Sequence, residues 1–173
     1  MKASQTAENA TAFDVIVVGS GAGGLSAAVT AAHHGLRVVV VEKAAVIGGT
    51  TAWSGGWIWA PRNPVAIRAG IVEDIDAPRT YLKAVIGNRF DPERIESFLN
   101  AAPEMVAFFE AQTAVCFEGG LAIPDTYSDL PGAGMGGRSV IAAPYDARGL
   151  GADIGLLRRP LPETSFHGMT IQS

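Results

Sequence analysis

The chain has one cysteine, Cys116, in 173 residues. No internal disulfide can form, which is compatible with a reducing cytoplasm, and Cys116 itself reads as a buried, inert thiol. Histidine is scarce too, with three in all. His33 and His34 are adjacent, so on a helix they point to different faces and make poor joint metal ligands; no metal is expected. Basic charge is not in excess: 13 Lys and Arg stand against 17 Asp and Glu, a net charge of −4, which argues against nucleic acid as a main partner. No uninterrupted apolar run reaches the ~18 residues of a membrane span. Residues 1–12 are small and polar; without an apolar core they form no signal peptide and read as a disordered leader. The location expected is cytoplasmic.

What the chain does have is apolar residues, 48%, with only 17% charged, enough for a globular domain with a core. Glycine supplies 21 of 173 residues, well above the usual ~7%. There is no Gly-x-y period or low-complexity tract, so the excess belongs to tight turns.

The first turn is informative. Asp14-Val15-Ile16-Val17-Val18 precedes Gly19-Ser20-Gly21-Ala22-Gly23-Gly24, an Ala-rich stretch to His34, and then Leu36-Arg37-Val38-Val39-Val40-Val41-Glu42. The β-branched runs predict parallel strands covered on both faces, and Gly35 a helix stop. Gly19 permits the sharp turn, Gly21 lets a pyrophosphate approach the backbone, and Gly24 lets helix and strand lie close. The N–H groups at Ala22, Gly23 and Gly24 open the helix toward phosphate. Glu42, 18 residues after Gly24, suits the hydroxyls of an adenosine ribose. Strand, glycines, helix, strand and acid in register predict a dinucleotide site. The alternative is a doubly wound protein whose turn binds nothing.

Downstream, Lys43 to Gly56 reads KAAVIGGTTAWSGG. Glycine pairs Gly48-Gly49 and Gly55-Gly56 bracket the hydroxyls of Thr50, Thr51 and Ser54, donors for a second set of phosphate and ribityl oxygens. The pattern E-K-x-x-x-x-G-G-T-T-x-x-S-G-G, followed by Trp57 to Asn63, resembles the flavoprotein superfamily of fumarate reductases, succinate dehydrogenase flavoproteins and 3-ketosteroid Δ1-dehydrogenases, and looks closest to the ketosteroid branch. The resemblance implies FAD rather than NAD, in an α/β, Rossmann-like (glutathione-reductase-type) FAD-binding domain. Cofactor contacts are expected from Gly19, Gly21, Ala22, Gly23, Gly24, Glu42, Lys43, Gly49, Thr50, Thr51, Ser54, Gly55 and Gly56, although strand alternation turns the Lys43 side chain away from the ribose. Succinate dehydrogenase flavoproteins carry a flavin-linked histidine near the second loop. Here Ala52, Trp53 and Ser54 stand between Thr51 and Gly55, so the FAD expected is non-covalent.

Further along, Trp53, Trp57 and Trp59 read either as a packing cluster anchoring the second loop or as contributors to a flavin or substrate cavity. A helix of about ten residues is predicted from Ala77-Pro78 toward Gly87. Another is capped by Asp91 with Pro92 at its first position and carries Ile95, Phe98, Leu99 and Ala102 at helical spacing. Pro103 is expected to separate it from a third, over residues 104–112. Phe108 and Phe109 read as core, and Glu93, Arg94, Glu96 and Glu110 as a solvated face. Short strands are expected over 113–118 and 140–143, a long loop over 123–137, and a short helix toward Leu157.

The order Tyr127, Pro131-Gly132, Gly136-Gly137-Arg138, Pro144-Tyr145-Asp146, Leu150-Gly151 and Leu157-Arg158 resembles the same family more loosely. Its members are two-domain proteins of several hundred residues, so the resemblance implies that residues 13–173 are the N-terminal part of an FAD-binding domain, with the substrate domain and the closing FAD segment absent. The reaction implied is oxidation of a carbon–carbon bond beside a ketone: a base takes a proton while hydride passes to flavin N5. Members use tyrosines for the proton, and Tyr127 is the matching candidate; Thr126-Tyr127-Ser128 departs from the family's local pattern, and a structural loop tyrosine is the other reading. The partner expected is a small molecule, a steroid in the ketosteroid reading. A fumarate-reductase-like flavoenzyme and a non-catalytic dinucleotide-binding module remain as alternatives.

Overall fold

In the computed structural model, which describes residues 12–166 and 169–170, the chain divides into two units. One takes the described residues up to Gly55 together with those from Ala147 onward; the other is Gly56–Asp146. All of the expected leader but Ala12 lies outside the described residues.

The first unit opens with strand β1, Val15–Val18, helix α1, Ala22–His33, and strand β2, Val38–Val41. The strands pair in parallel, Val15 with Val38 through Val18 with Val41. Asp14 and Gly19 extend the ladder at either end, donating their N–H groups to the carbonyls of Arg37 and Val41. Burial differs from the two-sided covering expected of the strands. Val17 is buried under α1, while Ile16 is 66% and Val18 83% exposed. The pleat sends alternate residues to opposite faces, and α1 covers one of them.

After β2 comes a short 3-10 turn, Gly49–Trp53. The chain rejoins this unit with a longer 3-10 segment, Ala147–Leu156, broken at Gly151 (φ 55°). Its exit is fastened to the second glycine loop: the Ile47 N–H donates to the Leu156 carbonyl and the Arg158 N–H to the Ile47 carbonyl, each at 2.8 Å.

The second unit is a three-stranded antiparallel sheet with helices. Strand β3, Trp57–Trp59, and strand β4, Phe117–Gly119, flank strand β5, Ser139–Ala142. Helices α2, Pro64–Arg68, α3, Asp76–Ile86, and α4, Pro92–Gln112, precede β4. The core joins Ala60, Ala102, Val106 and Val140, with Val65, Met105 and Phe117 packed around it. At the far end of the chain, β6, Ser165–Phe166, pairs antiparallel with β7, Met169–Thr170.

Helix α4 corrects the expectation of a break at Pro103, which lies inside one continuous helix. An interior proline removes one hydrogen bond and costs about 3 kcal/mol. Leu99 and Ala102 before it and Val106 after it all bury on one stripe, and helices are stabilised mainly by burial of such a face. Phe108 and Phe109 are only half-buried. Nor is the acidic face merely solvated. Glu110 receives both terminal nitrogens of Arg68, at 2.9 and 3.0 Å, and Glu96 pairs with Arg79.

Cys116, expected to be buried, is exposed. It lines an apolar cavity of about 520 Å³ with Val115, Ala142, Pro144 and Tyr145. No glycine-loop residue lines that cavity, and neither does Tyr127.

Candidate functional site

The first glycine turn is shaped by one backbone conformation and one close contact. Gly19 has φ 94°, a left-handed conformation that side chains disfavour. A Cβ on Gly24 would lie 2.0 Å from the Gly19 carbonyl oxygen, so only glycine allows α1 to sit this close to the turn. A Cβ on Gly23 would meet nothing within 4 Å. The backbone at the start of α1 is therefore open to whatever lies against it.

The second loop presses on the first. A Cβ on Gly49 (φ 56°) would lie 3.0 Å from the Gly21 Cα, so the two turns meet backbone to backbone. Thr51 Oγ1 accepts the Ala22 N–H at 3.0 Å, a side-chain acceptor for the first helical residue. The Ser54 hydroxyl donates to the Thr51 carbonyl at 2.8 Å. The remaining N–H groups of the first helical turn have no partner within the helix and carry its positive dipole end.

Ser20 and Glu42 bind both loops to the end of β2. Ser20 is fully buried. Its N–H and its hydroxyl both donate to Glu42 Oε2, at 2.9 and 2.5 Å, and its Oγ accepts the Gly48 N–H at 3.0 Å. The Ala44 N–H donates to Glu42 Oε1 at 2.9 Å. Led by the Ala44 N–H and followed by the Ser20 hydroxyl, these donors pull the Glu42 carboxyl from its ordinary 4.5 to about 2. Donors to an ionised acid favour the ionised form.

The structure thus brings together Gly19, Gly21, Ala22, Gly23, Gly24, Glu42, Gly49, Thr51 and Ser54. Lys43 and Thr50 are exposed beside them, and Gly55 closes this unit in sequence. Gly56 and Tyr127 belong to the second unit. Sequence reasoning missed Ser20. Its signal was a lone hydroxyl between two glycines, directly after an apolar strand, where a buried oxygen must find donors and acceptors.

In the second unit, the long loop is organised by buried charge. Arg138, 3% exposed, donates through Nη1 to Asp125 Oδ2 at 2.6 Å and to the Gly132 carbonyl at 2.8 Å. Its Nη2 reaches Glu73 Oε2 at 2.6 Å. Asp125 also accepts Trp59 Nε1–H at 2.6 Å and the Gly134 N–H at 2.8 Å. Tyr127 stands at the tip, 54% exposed, with its N–H donating to the Tyr81 hydroxyl at 3.3 Å. In this unit Trp59 stacks on Phe98 and Trp57 lies against Gly120; in the first unit Trp53 lies under the Arg158 guanidinium.

Residues 14–161 match the FAD binding domain family. The chain is 48% identical over 144 residues to a 3-oxosteroid 1-dehydrogenase of Mycobacterium tuberculosis, covering 82% of this chain and 25% of that protein. It is 45% identical over 149 residues to a 4-oxocyclohex-2-ene-1-carboxylate 5-dehydrogenase of Sinomonas cyclohexanicum, covering 86% and 25%. The crystal structure of the 3-ketosteroid Δ1-dehydrogenase of Sterolibacterium denitrificans, in complex with 1,4-androstadiene-3,17-dione, superposes with a TM-score of 0.84 at 39% identity, over 92% of this chain and 29% of that one. The chain spans about a quarter of the length of these curated relatives. It belongs to the FAD binding domain family, and the residues present fit that cofactor: an open helix end, two glycine turns in backbone contact and an ionised acid held at the end of β2. Among the described residues no helix is long and apolar enough to cross a membrane.

Proposed function

We propose that this member of the FAD binding domain family is the N-terminal part of a Rossmann-like, glutathione-reductase-type domain in a dehydrogenase. The enzyme oxidises a carbon–carbon single bond beside a ketone, with a 3-ketosteroid as substrate and FAD held without a covalent bond. The observation that carries the cofactor half is the backbone contact of Gly49 with Gly21, which joins the two loops of one extended dinucleotide cradle. The substrate half rests on the likeness to 3-oxosteroid and oxocyclohexene-carboxylate dehydrogenases. Both names denote a ring ketone, one on the fused rings of a steroid and the other on a single ring that also carries a carboxylate.

When bound, FAD supplies the hydride acceptor. The protein's part is to hold and to exclude. In this reading the N–H groups of Gly23 and Gly24 face the phosphates, Thr50 and Thr51 offer hydroxyl protons to phosphate and ribityl oxygens, and Ser54, whose proton goes to the Thr51 carbonyl, offers its oxygen to a ribityl hydroxyl. Glu42, ionised at neutral pH and already accepting three protein donors, has one lone pair left, on Oε1, to face a ribose hydroxyl. Tyr127, at the tip of its anchored loop, holds or moves the proton of the carbon next to the ketone through its phenolic oxygen. Ala52, Trp53 and Ser54 provide no histidine for a flavin linkage.

The test is direct. The full-length protein should purify yellow, release free FAD on acidification and reduce a dye with a 3-ketosteroid. A colourless protein that takes up NAD in calorimetry would overturn the cofactor reading. A yellow protein that ignores 3-ketosteroids and reduces fumarate would overturn the substrate reading alone.

A further inference from the structure

Arg158 is not among the residues expected to touch the cofactor, yet it stands against the cradle. Its backbone N–H is bonded to the Ile47 carbonyl at 2.8 Å, directly before Gly48-Gly49. A Cβ on Gly48 would lie 3.5 Å from the Arg158 Cβ, so the side chain leaves the backbone directly behind that pair. Its guanidinium lies 4.9 Å from the centre of the Trp53 ring, within the same turn. Three segments therefore stand in one stack: Gly21 on Gly49, Gly48 on Arg158, and Arg158 on Trp53.

The electrostatics of this position are unbalanced. Arg158 Nε is buried and has no hydrogen-bond partner. No carboxylate among the described residues pairs with this guanidinium, whereas Arg37, Arg68, Arg79 and Arg138 each have one. Glu42, the acid at the end of β2, gives three of its acceptor positions to Ser20 and Ala44. A stacked arginine keeps its full charge, and its planar fork matches phosphate oxygens. The face of an indole orients that fork without neutralising it.

We infer that Arg158, oriented by Trp53, is a binding residue for the FAD pyrophosphate, supplying the positive charge that the two glycine loops lack. The inference rests on the FAD reading of the site. The loops contribute dipoles and hydroxyls, which position phosphate; the guanidinium contributes a whole charge, which holds it. This also gives a reason for the parallel bridge between Ile47 and Leu157, which brings a residue from late in the chain to the early loop.

The experiment is equilibrium titration of the flavin-free, full-length protein with FAD, ADP and riboflavin, at low and high salt. Arg158→Gln should weaken FAD and ADP about ten- to hundredfold, the range that one or two charge-assisted hydrogen bonds carry. It should flatten the salt dependence of FAD binding, since the screened charge has gone, and leave riboflavin, which has no phosphate, unchanged. Arg158→Lys, which keeps the charge but loses the fork, should fall between; it also serves if the glutamine variant does not fold. Arg159→Gln, an exposed neighbour, should match wild type. Wild-type FAD affinity in Arg158→Gln overturns the inference, as does an equal loss for riboflavin and FAD, which would mark a packing role. If the wild-type protein itself binds no FAD, it is the cofactor reading that fails.

Discussion

Ser20 gives both of its donors to one oxygen of Glu42, its hydroxyl at 2.5 Å and its N–H at 2.9 Å. The Ser20 oxygen in turn accepts the N–H of Gly48. One buried hydroxyl therefore ties the first glycine turn, the end of β2 and the second glycine loop.

Ser20→Ala should destabilise the protein by about 1–3 kcal/mol, the range for leaving buried polar groups unpaired. It should also weaken FAD, because Gly48 and Gly49 lose their anchor. Chemical denaturation and FAD titration of the same preparation measure both. Unchanged stability would mean that water replaces the hydroxyl without loss.

The pH dependence of Glu42 has a definite sign. Its carboxyl is lowered from 4.5 to about 2, so the contribution is fully present above about 4.5 and is lost as pH falls through about 2. Stability measured for wild type and Glu42→Gln should differ at neutral pH and converge between about 4.5 and 2. A difference that stays constant across that window would contradict the assignment.

Two neighbouring glycines should respond oppositely to alanine. A Cβ on Gly24 would lie 2.0 Å from a backbone oxygen. Gly24→Ala must push α1 off the turn, at a cost of about 1–3 kcal/mol or more. Gly23→Ala meets nothing in the protein and gains helix propensity of about 1 kcal/mol. It should melt no lower than wild type while binding FAD more weakly, since its methyl enters the cradle. Thermal melts with and without FAD separate the two effects. Gly23→Ala with undiminished FAD affinity would remove the phosphate from this position.

Arg138→Gln should cost about 3–5 kcal/mol, the range for stranding a buried charge. Asp125 would lose its salt-bridge partner while nearly fully buried. Urea denaturation reads the loss. A change below about 1 kcal/mol would mean that the loop over 123–137 rearranges to expose Asp125.

Tyr127→Phe should lower steroid-dependent dye reduction in the full-length enzyme by about 10²- to 10⁴-fold, the usual worth of a general acid or base. The flavin spectrum and FAD affinity should not change. Full turnover in that variant would reduce Tyr127 to a loop residue.

The βαβ unit was legible because its signals are local: β-branched runs, glycine spacing and a terminal acid, all within 30 residues of one another. Two of the glycine readings are seen directly, the turn at Gly19 and the close approach of Gly24 to it. What escaped sequence reasoning depends on distant partners. Ser20 owes its importance to Gly48 and Glu42, Arg158 to Ile47 and Trp53, and Asp125 to Arg138 and Trp59, pairings that no period or motif announces. Pro103 misled because a local rule met tertiary burial, and the face formed by Leu99, Ala102 and Val106 outweighed it. Cys116 misled because a thiol is usually interior, whereas this one borders an apolar cavity.

The bridge between Ile47 and Leu157 also has a consequence for how the protein is made. The unit that holds the glycine loops is discontinuous along the chain, while Gly56–Asp146 is continuous. On a ribosome adding about 5–20 residues per second, the second glycine loop waits roughly 5–20 s for its clasp to be synthesised. The intervening unit, which ends at Asp146, has all of its own sequence roughly 0.5–2 s before Leu157 is added. A ribosome paused before Leu157 would hold the glycine loops without the segment that fastens them.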